Sequence, residues 1–226
     1  MHVQLHEDLS FCRVDGHAIF LDLQRNRYFR LPNALERSFL SYVEGDAEHE
    51  IDVDALLARN ILIPAPGCAR RPFFVPIGLP ARSAVEQVFD AARVPLGTLL
   101  DVFAIVCSTR LQLATRKLND ILTELIAFRG RWASPPPAVL TEIDVEALSD
   151  AAAIFSRARP YVPIETRCLL DSISMVKFLA KRRLSANIVF GVTGEPFSAH
   201  CWVQTGDLVL NETVGDAAAL TPIRTI

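Results

Sequence analysis

The chain has 226 residues, of which 50% are hydrophobic, and a formal net charge of -3; it is long enough for two small domains, or for one domain with an appendage. The near-neutral charge argues against a nucleic-acid partner, because such binding depends on neutralising phosphates, and five irregularly spaced cysteines argue against a disulfide framework. No apolar run reaches the roughly 20 residues of a membrane-spanning helix, and the first residues lack a secretion signal, so we expect a cytoplasmic protein without a membrane partner.

The first 65 residues have the pattern of a small α+β unit. Asp15-Gly16 is a hairpin-turn signal, and Pro32 stands where helices often begin. Four apolar residues then share one helical stripe: Leu35, Phe39, Tyr42 and Val43. The predicted elements are, in chain order, strands at 9–14, 18–22 and 27–31, a helix that ends at Gly45-Asp46, a helix at 51–59 and a strand at 61–63.

The middle of the chain changes from a linker to helices. Residues 66–80 are too rich in proline and glycine for regular structure, which predicts a linker. A long apolar periodicity at 98–128 predicts helical structure with a break near Asn119-Asp120. Another helix is predicted at 143–157, after three consecutive prolines.

The last part of the chain has a helix followed by strands. Thr166 is a candidate N-cap, and an apolar stripe at helical spacing follows it: Leu169, Ile173, Val176 and Ala180. Strands are predicted at 186–192, 199–204 and 208–212, with a tight turn at 205–207.

Cys168 and His200 are the candidate catalytic pair. His200 is the only histidine after His49, so the rest of the chain holds a single imidazole. With Thr166 as N-cap, Cys168 lies in the first helical turn, where unpaired N–H groups and the helix dipole favour an anion. A thiol attacks as the thiolate, so this position and a nearby imidazolium would prime Cys168 as a nucleophile.

The group that orients His200 is predicted on the returning strand. A three-residue turn at 205–207 would set Glu212 opposite His200, whereas a two-residue turn would bring up Asn211 or Thr213. Glu212 and Asn211 can both accept a hydrogen bond from the imidazole. Only the carboxylate would also stabilise the imidazolium, and both residues stay candidates.

A purely structural role is the alternative for these residues. A cysteine in an apolar helix is usually a small core residue, which is our interpretation of Cys107. Strand alternation places Cys201 on the face opposite to His200, so Cys201 is also predicted to be a core residue. A zinc site formed by Cys168, His200 and Cys201 is therefore not expected, and we predict no cofactor. The joint pattern of thiol, imidazole and an acid across a hairpin favours catalysis.

Three segments carry a family resemblance: 167–172 (RCLLDS), 186–192 (ANIVFGV) and 196–203 (PFSAHCWV). They resemble the lasso-peptide biosynthesis B protein, a transglutaminase-like cysteine protease that removes the leader from a ribosomal precursor peptide. The family carries its nucleophile where Cys168 stands and its base where His200 stands. Its third member is usually an aspartate after an Asn-like residue, where this chain has Glu212 after Asn211.

The N-terminal unit is similar to the winged-helix-like element that binds leader peptides, here in a form fused to the protease. The resemblance implies that a leader adds as an extra strand to an open sheet edge. That edge is expected at 18–22 or 27–31, with leader side chains reaching the helix at 51–59. The resemblance also implies an ATP-dependent macrolactam synthetase as a partner. The alternative is that this unit only buttresses the protease.

We therefore predict an α+β fold: a winged-helix-like leader-peptide recognition domain (1–65), a Pro-rich linker (66–80) and a transglutaminase/papain-like cysteine protease domain (81–226) with a helical first half and a small antiparallel sheet. The predicted function is a leader peptidase with a Cys-His-Glu/Asn triad. A thiol-dependent amidase or transglutaminase acting on another substrate is one alternative. A non-catalytic peptide-binding adaptor, or a winged-helix adaptor that binds DNA, is another.

Overall fold

A computed structural model describes residues 3–45, 52–65, 77–87, 94–134 and 139–226. The strands are β1 (Val3–Leu5), β2 (Leu9–Val14), β3 (His17–Asp22), β4 (Arg27–Arg30), β5 (Leu62–Pro64), β6 (Arg82–Ser83), β7 (Asn187–Val192), β8 (Ala199–Thr205), β9 (Leu208–Val209) and β10 (Thr221–Thr225). The helices are α1 (Asn33–Glu44), α2 (Val53–Ala58), α3 (Leu96–Thr115), α4 (Leu118–Trp132), α5 (Glu142–Ala158), α6 (Cys168–Lys181) and α7 (Val214–Ala218), and a 3-10 turn covers Arg159–Tyr161.

The N-terminal unit is built around a three-stranded antiparallel sheet in the order β2-β3-β4. Asp15 and Gly16 both have positive φ, 51° and 82°, as a tight hairpin between β2 and β3 requires. The sheet order corrects one expectation. Because β3 pairs on both sides, the segment at 18–22 is not an open edge. The other expected edge, at 27–31, remains open, since no described strand pairs with the outer side of β4.

Helices α1 and α2 cover one face of this sheet, and local residues determine where α1 ends and where α2 begins. Gly45, in the left-handed conformation with φ 71°, terminates α1. Asp52 caps α2 by accepting a hydrogen bond from the Ala55 backbone N–H at 2.9 Å, so this helix starts later than predicted. Asp46 and Ile51, which the predicted helices included, lie outside the described residues. The short β1–β5 pair was not predicted.

Both faces of the N-terminal sheet are buried. Phe20 packs with Phe39 and Leu56 in one core, whereas Ile19 and Leu21 belong to the core that the later helices form. The sheet therefore lies between its own helices and the rest of the chain. Most of the predicted linker, residues 66–76, lies outside the described residues, and the division into domains stays a prediction.

The helical region breaks earlier than the sequence predicts. Arg116 and Lys117 are extended and separate α3 from α4, whereas the break was expected at Asn119-Asp120. Both of these residues lie in the first turn of α4. The positive end of the helix dipole stabilises the acidic side chain of Asp120 there. Asn119 also donates a hydrogen bond to Asp8 at 2.9 Å, which ties α4 to the N-terminal unit.

Helix α3 corrects the expectation about apolar runs. It is 20 residues long with a mean hydropathy of 1.4, so by length and composition alone it could cross a membrane. Such a helix by itself is weak support for a membrane span, because a core helix of a soluble protein can meet the same test. Here Val102, Ile105 and Val106 are buried in the core shared with α6, although only 22% of the apolar stretch is buried.

The second sheet has five strands in the order β10-β7-β8-β9-β6. Neighbouring strands are antiparallel except β6 and β9, which are parallel, so the predicted antiparallel sheet is mixed at one edge. Helix α6 packs on one face, which Cys201 and Val203 help to form. Trp202 points to the other face, where it packs with Val189 and Val209. Strand β10 and helix α7 were not predicted.

Candidate active site

Helix α6 carries the candidate nucleophile at its first residue, Cys168, whose side chain is exposed. Arg167, not Thr166, is the N-cap, which corrects the sequence prediction. Asp171 stabilises this start from within the helix, because its Oδ2 accepts the Arg167 backbone N–H at 3.1 Å. Cys168 therefore stays among the N–H groups that an α-helix leaves without a partner at its start.

A buried ion pair fixes the start of this helix. Arg159 is 6% exposed, and its Nε lies 2.5 Å from Oδ1 of Asp171. The remaining guanidinium nitrogens donate to the carbonyl oxygens of Val162, Ile164 and Glu165. The loop before Cys168 is thus held at several points by one side chain. Sequence reasoning missed Arg159 although its partners lie within 12 residues along the chain, because no motif marks a side chain that bonds to loop carbonyls.

Strand β8 carries the candidate base. His200 lies opposite Gly191 of β7. An added Cβ at Gly191 would lie 2.6 Å from the Trp202 ring, so only glycine leaves room for that ring. The packing of Trp202 under β7 therefore fixes the part of β8 that presents His200.

Glu212 and Asn211 have different positions. Oε2 of Glu212 lies 2.9 Å from Nε2 of His200. The Asn211 side chain instead accepts the Val203 backbone N–H at 2.7 Å and donates to Ser172 at 3.2 Å. Of the two candidates for orienting His200, the structure brings Glu212 to the imidazole and places Asn211 in the scaffold below it.

The turn between β8 and β9 differs from the one that would set Glu212 opposite His200. Thr205 pairs with Leu208, so the turn has two residues, and β9 ends at Val209 rather than at 212. Leu210 still donates its N–H to the Val203 carbonyl. A regular antiparallel pair would return a bond from the Val203 N–H to the Leu210 carbonyl, but the Asn211 side chain accepts that N–H. The chain therefore leaves the ladder here, and Glu212 can turn to His200.

The thiol of Cys168 is held as an anion. Hydrogen bonds from Cys201 and then from His200 outweigh desolvation and lower the pKa of Cys168 to about 4. The pKa of His200 is raised despite burial, first by its hydrogen bond with Cys168 and then by the one with Glu212. The two pKa shifts both favour a thiolate paired with an imidazolium, which is the reactive form of a cysteine nucleophile.

Cys201 has a contact that strand alternation did not predict. Its side chain is 3% exposed, as expected of a core residue, but it also contacts the sulfur of Cys168. The Cys168 thiolate and burial raise the pKa of Cys201 well above its usual value, so Cys201 stays protonated. Its Sγ also lies 4.0 Å from Oγ of Ser172. The start of α6 lies over the start of β8, so one sulfur reaches residues on both faces of that strand.

An open cavity of about 360 Å³ contains these groups. Cys168, His200, Cys201, Asn211 and Glu212 line it together with Arg159, Asp171 and Thr166. Among the described residues, no cluster of three or more His, Cys, Asp or Glu is placed to hold a metal ion. The arrangement can perform nucleophilic attack by sulfur, with proton transfer through His200.

Comparisons with known proteins agree with this chemistry. The sequence profile of the transglutaminase-like superfamily matches residues 109–225, just over half of the chain, and that span includes Cys168, His200 and Glu212. The microcin J25-processing protein McjB of Escherichia coli is 38% identical over 45 residues, which cover 20% of this chain and 22% of McjB. No solved structure matches significantly. The chain belongs to the transglutaminase-like superfamily.

Proposed function

We propose that this chain is a cysteine peptidase that binds and removes the leader peptide of a ribosomally made lasso-peptide precursor. The observation that carries the proposal is the chain of contacts from Cys168 through His200 to Glu212, which starts at a helix N-terminus. The partial likeness to McjB, a protein named for processing microcin J25, supports the choice of a precursor peptide as substrate.

In the proposed mechanism the Cys168 thiolate attacks the scissile carbonyl and forms a tetrahedral intermediate. The imidazolium of His200 gives its proton to the leaving amine, which releases the core peptide and leaves a thioester. His200 then takes a proton from water, whose oxygen attacks the thioester and releases the leader. Glu212 keeps the imidazole oriented and stabilises its charged form. The unpaired backbone N–H of Cys168 is our candidate for the oxyanion.

The outer edge of β4 is the proposed leader-binding edge. A groove of about 420 Å³ borders β4, where Arg27, Phe29 and Arg30 line it. Its other walls include Leu9 of β2, Asp22 of β3, and Arg59 and Ile61, which follow α2. An extended peptide could pair with the unpaired edge and place alternate side chains in the groove. The groove lies next to the end of α2, where the leader side chains were expected.

The proposed consequence of leader binding is a high local concentration of the cleavage point at Cys168. Ile19 and Leu21 pack in the core that also contains α6, so the leader-binding sheet is attached directly to the catalytic half. An ATP-dependent macrolactam synthetase that receives the released core, and a cytoplasmic location, complete the proposal.

The test is incubation of the purified chain with the peptides encoded by short reading frames beside its gene, followed by mass spectrometry. We expect release of a leader by the wild type, loss of release by Cys168→Ala, and unchanged leader affinity in that variant. Cys107→Ala, on α3 outside the cavity, is the matched control and should cleave normally.

Two outcomes would reject the proposal. Leader release by Cys168→Ala at the wild-type rate would remove Cys168 as the nucleophile. Equal turnover of unrelated amides that lack a leader would favour the amidase or transglutaminase alternative, because recognition by β4 would then contribute nothing.

A further inference from the structure

A second cavity, of about 290 Å³, lies between the N-terminal sheet and the loop from β7 to β8. Ile19, Tyr28 and Phe29 contribute its walls from the sheet, and Gly194 and Phe197 contribute from the loop. We call it the aromatic pocket. Its volume is at the lower limit of ligand pockets, which begin at roughly 300 Å³, so it suits a single side chain better than a whole ligand.

The aromatic pocket lies close to the catalytic groups. Phe197 precedes His200 by three residues, and its ring centroid lies 5.7 Å from that of Tyr28. Tyr28 packs against the core that includes Cys201. Burial, then the electrostatic effect of the cysteines Cys201 and Cys168, raises the pKa of Tyr28, which agrees with its position near the two sulfurs.

The same pocket shares two lining residues with the groove beside β4. Phe29 and Arg30 line both cavities. A peptide that pairs with the edge of β4 would therefore lie beside both cavities, because both border Phe29 and Arg30. In a precursor the leader precedes the core, so a residue held between β4 and Cys168 belongs to the leader side of the scissile bond.

Charged residues of both signs line the pocket. Asp15 and Glu195 are opposed by Arg30, and the imidazole of His17 faces Glu36 at 3.0 Å. The aromatic and aliphatic walls remain as the source of selectivity. Phe197 is 55% exposed, so a partner that covers it would remove apolar surface from water.

We propose that the aromatic pocket receives an apolar side chain of the substrate, a few residues before the scissile bond, and that Phe197 and Tyr28 determine this preference. The inference rests on the proposed function for its assignment of that side chain to the leader. The pocket adds a second point of recognition, close to the chemistry, to the one along β4.

Peptide chloromethyl ketones test the pocket without knowledge of the precursor. In these probes the Cys168 sulfur forms a bond to the methylene carbon and chloride leaves, so labelling is read from the mass of the Cys168 peptide. A tetrapeptide set carries Phe, Leu, Gly or Asp at each position in turn. We expect one position at which Phe or Leu labels at least about 10-fold faster than Gly or Asp.

Phe197→Ala should reduce this preference to less than about 3-fold, because it removes one wall of the pocket. Each rate is divided by the iodoacetamide rate of the same variant, which corrects for thiol reactivity. Phe103→Ala is the matched control, since Phe103 is 46% exposed on α3 and lies outside the pocket. It should keep the wild-type preference.

The outcomes separate the two proposals. Equal labelling by all probes, or an unchanged preference in Phe197→Ala, overturns the pocket even if the wild type releases a leader. A preference that Phe197→Ala abolishes, in a protein that releases no leader from any candidate precursor, supports an apolar subsite and rejects its assignment to a leader. Leader release that Phe197→Ala slows only for precursors with an apolar residue at that position supports both.

Discussion

Oε2 of Glu212 lies 2.9 Å from Nε2 of His200, although the register of the β8–β9 hairpin points to Thr213 as the residue opposite His200. The Asn211 side chain accounts for the difference. It accepts the Val203 N–H that a further residue of β9 would have bonded, so the chain leaves the ladder before Glu212. The carboxylate of Glu212 thereby reaches the imidazole of His200, which regular strand pairing would have placed opposite Thr213.

The first prediction concerns Glu212→Gln, which keeps the size of the side chain and removes its charge. We expect kcat/KM for peptide cleavage to fall on the order of 10- to 100-fold, because the amide orients the imidazole without stabilising the imidazolium. The measurement is steady-state cleavage across pH. Glu146→Gln, on the exposed face of α5, is the control and should match the wild type.

The pH profile gives this prediction a direction. The thiolate–imidazolium pair exists above the pKa of Cys168, about 4, and below the raised pKa of His200. Glu212 contributes to that rise, after the larger effect of Cys168. Its removal should move the alkaline limb of the profile to lower pH and leave the acid limb in place. An alkaline limb that stays or moves upward would contradict the role assigned to Glu212.

The second prediction concerns Cys201, whose hydrogen bond is the largest cause of the low pKa of Cys168. Cys201→Ala should raise the pKa of Cys168, so alkylation of that thiol by iodoacetamide should begin at higher pH. Cys201→Ser retains a donor and should restore most of the wild-type profile. Mass spectrometry of the Cys168 peptide after alkylation reports this thiol alone. Identical profiles for all three proteins would show that the contact has no electrostatic effect.

Local signals made parts of the site predictable. A cysteine near a helix start and a lone histidine on a strand can be recognised from neighbouring residues, and both lie where the pattern indicated. The contact of Cys201 with Cys168 could not be predicted from strand alternation, because it depends on where α6 lies over the start of β8. Glu212 stayed one of two candidates, since the sequence does not reveal that the Asn211 side chain interrupts the ladder.

The fold was predictable to a similar extent. The β2–β3 hairpin was predictable because Asp15-Gly16 adopts positive φ readily. Strand β6 has only two residues and gains its partner from β9, far along the chain, so no periodicity marks it. The burial of both faces of the N-terminal sheet likewise depends on contacts with distant helices.

The third prediction concerns the ion pair of Arg159 with Asp171. Arg159→Met should lower the free energy of unfolding by about 3–5 kcal/mol, because it leaves a partly buried carboxylate without its partner. Urea unfolding followed by circular dichroism measures the change. The control is Arg167→Met, since Arg167 pairs with Glu165 at the surface and such pairs contribute only about 0–1 kcal/mol. Equal losses in the two variants would show that burial does not increase the contribution of this ion pair to the free energy of unfolding.

The fourth prediction concerns Gly191→Ala. The new Cβ would lie 2.6 Å from the Trp202 ring and 2.9 Å from Cβ of Leu220, so β7 or the indole must shift. Overpacking of this kind costs about 1–3 kcal/mol of stability, and the shift should also slow cleavage, because β7 pairs with His200 at this residue.

Gly130→Ala is the matched control: nothing lies within 4 Å of its added Cβ, and alanine within a helix should gain roughly 0.5–1 kcal/mol. Thermal unfolding should therefore show lower stability for Gly191→Ala and higher stability for Gly130→Ala. Only Gly191→Ala should cleave more slowly than the wild type. If Gly191→Ala were as stable and as active as the wild type, the close packing of Trp202 could not be what fixes the position of His200.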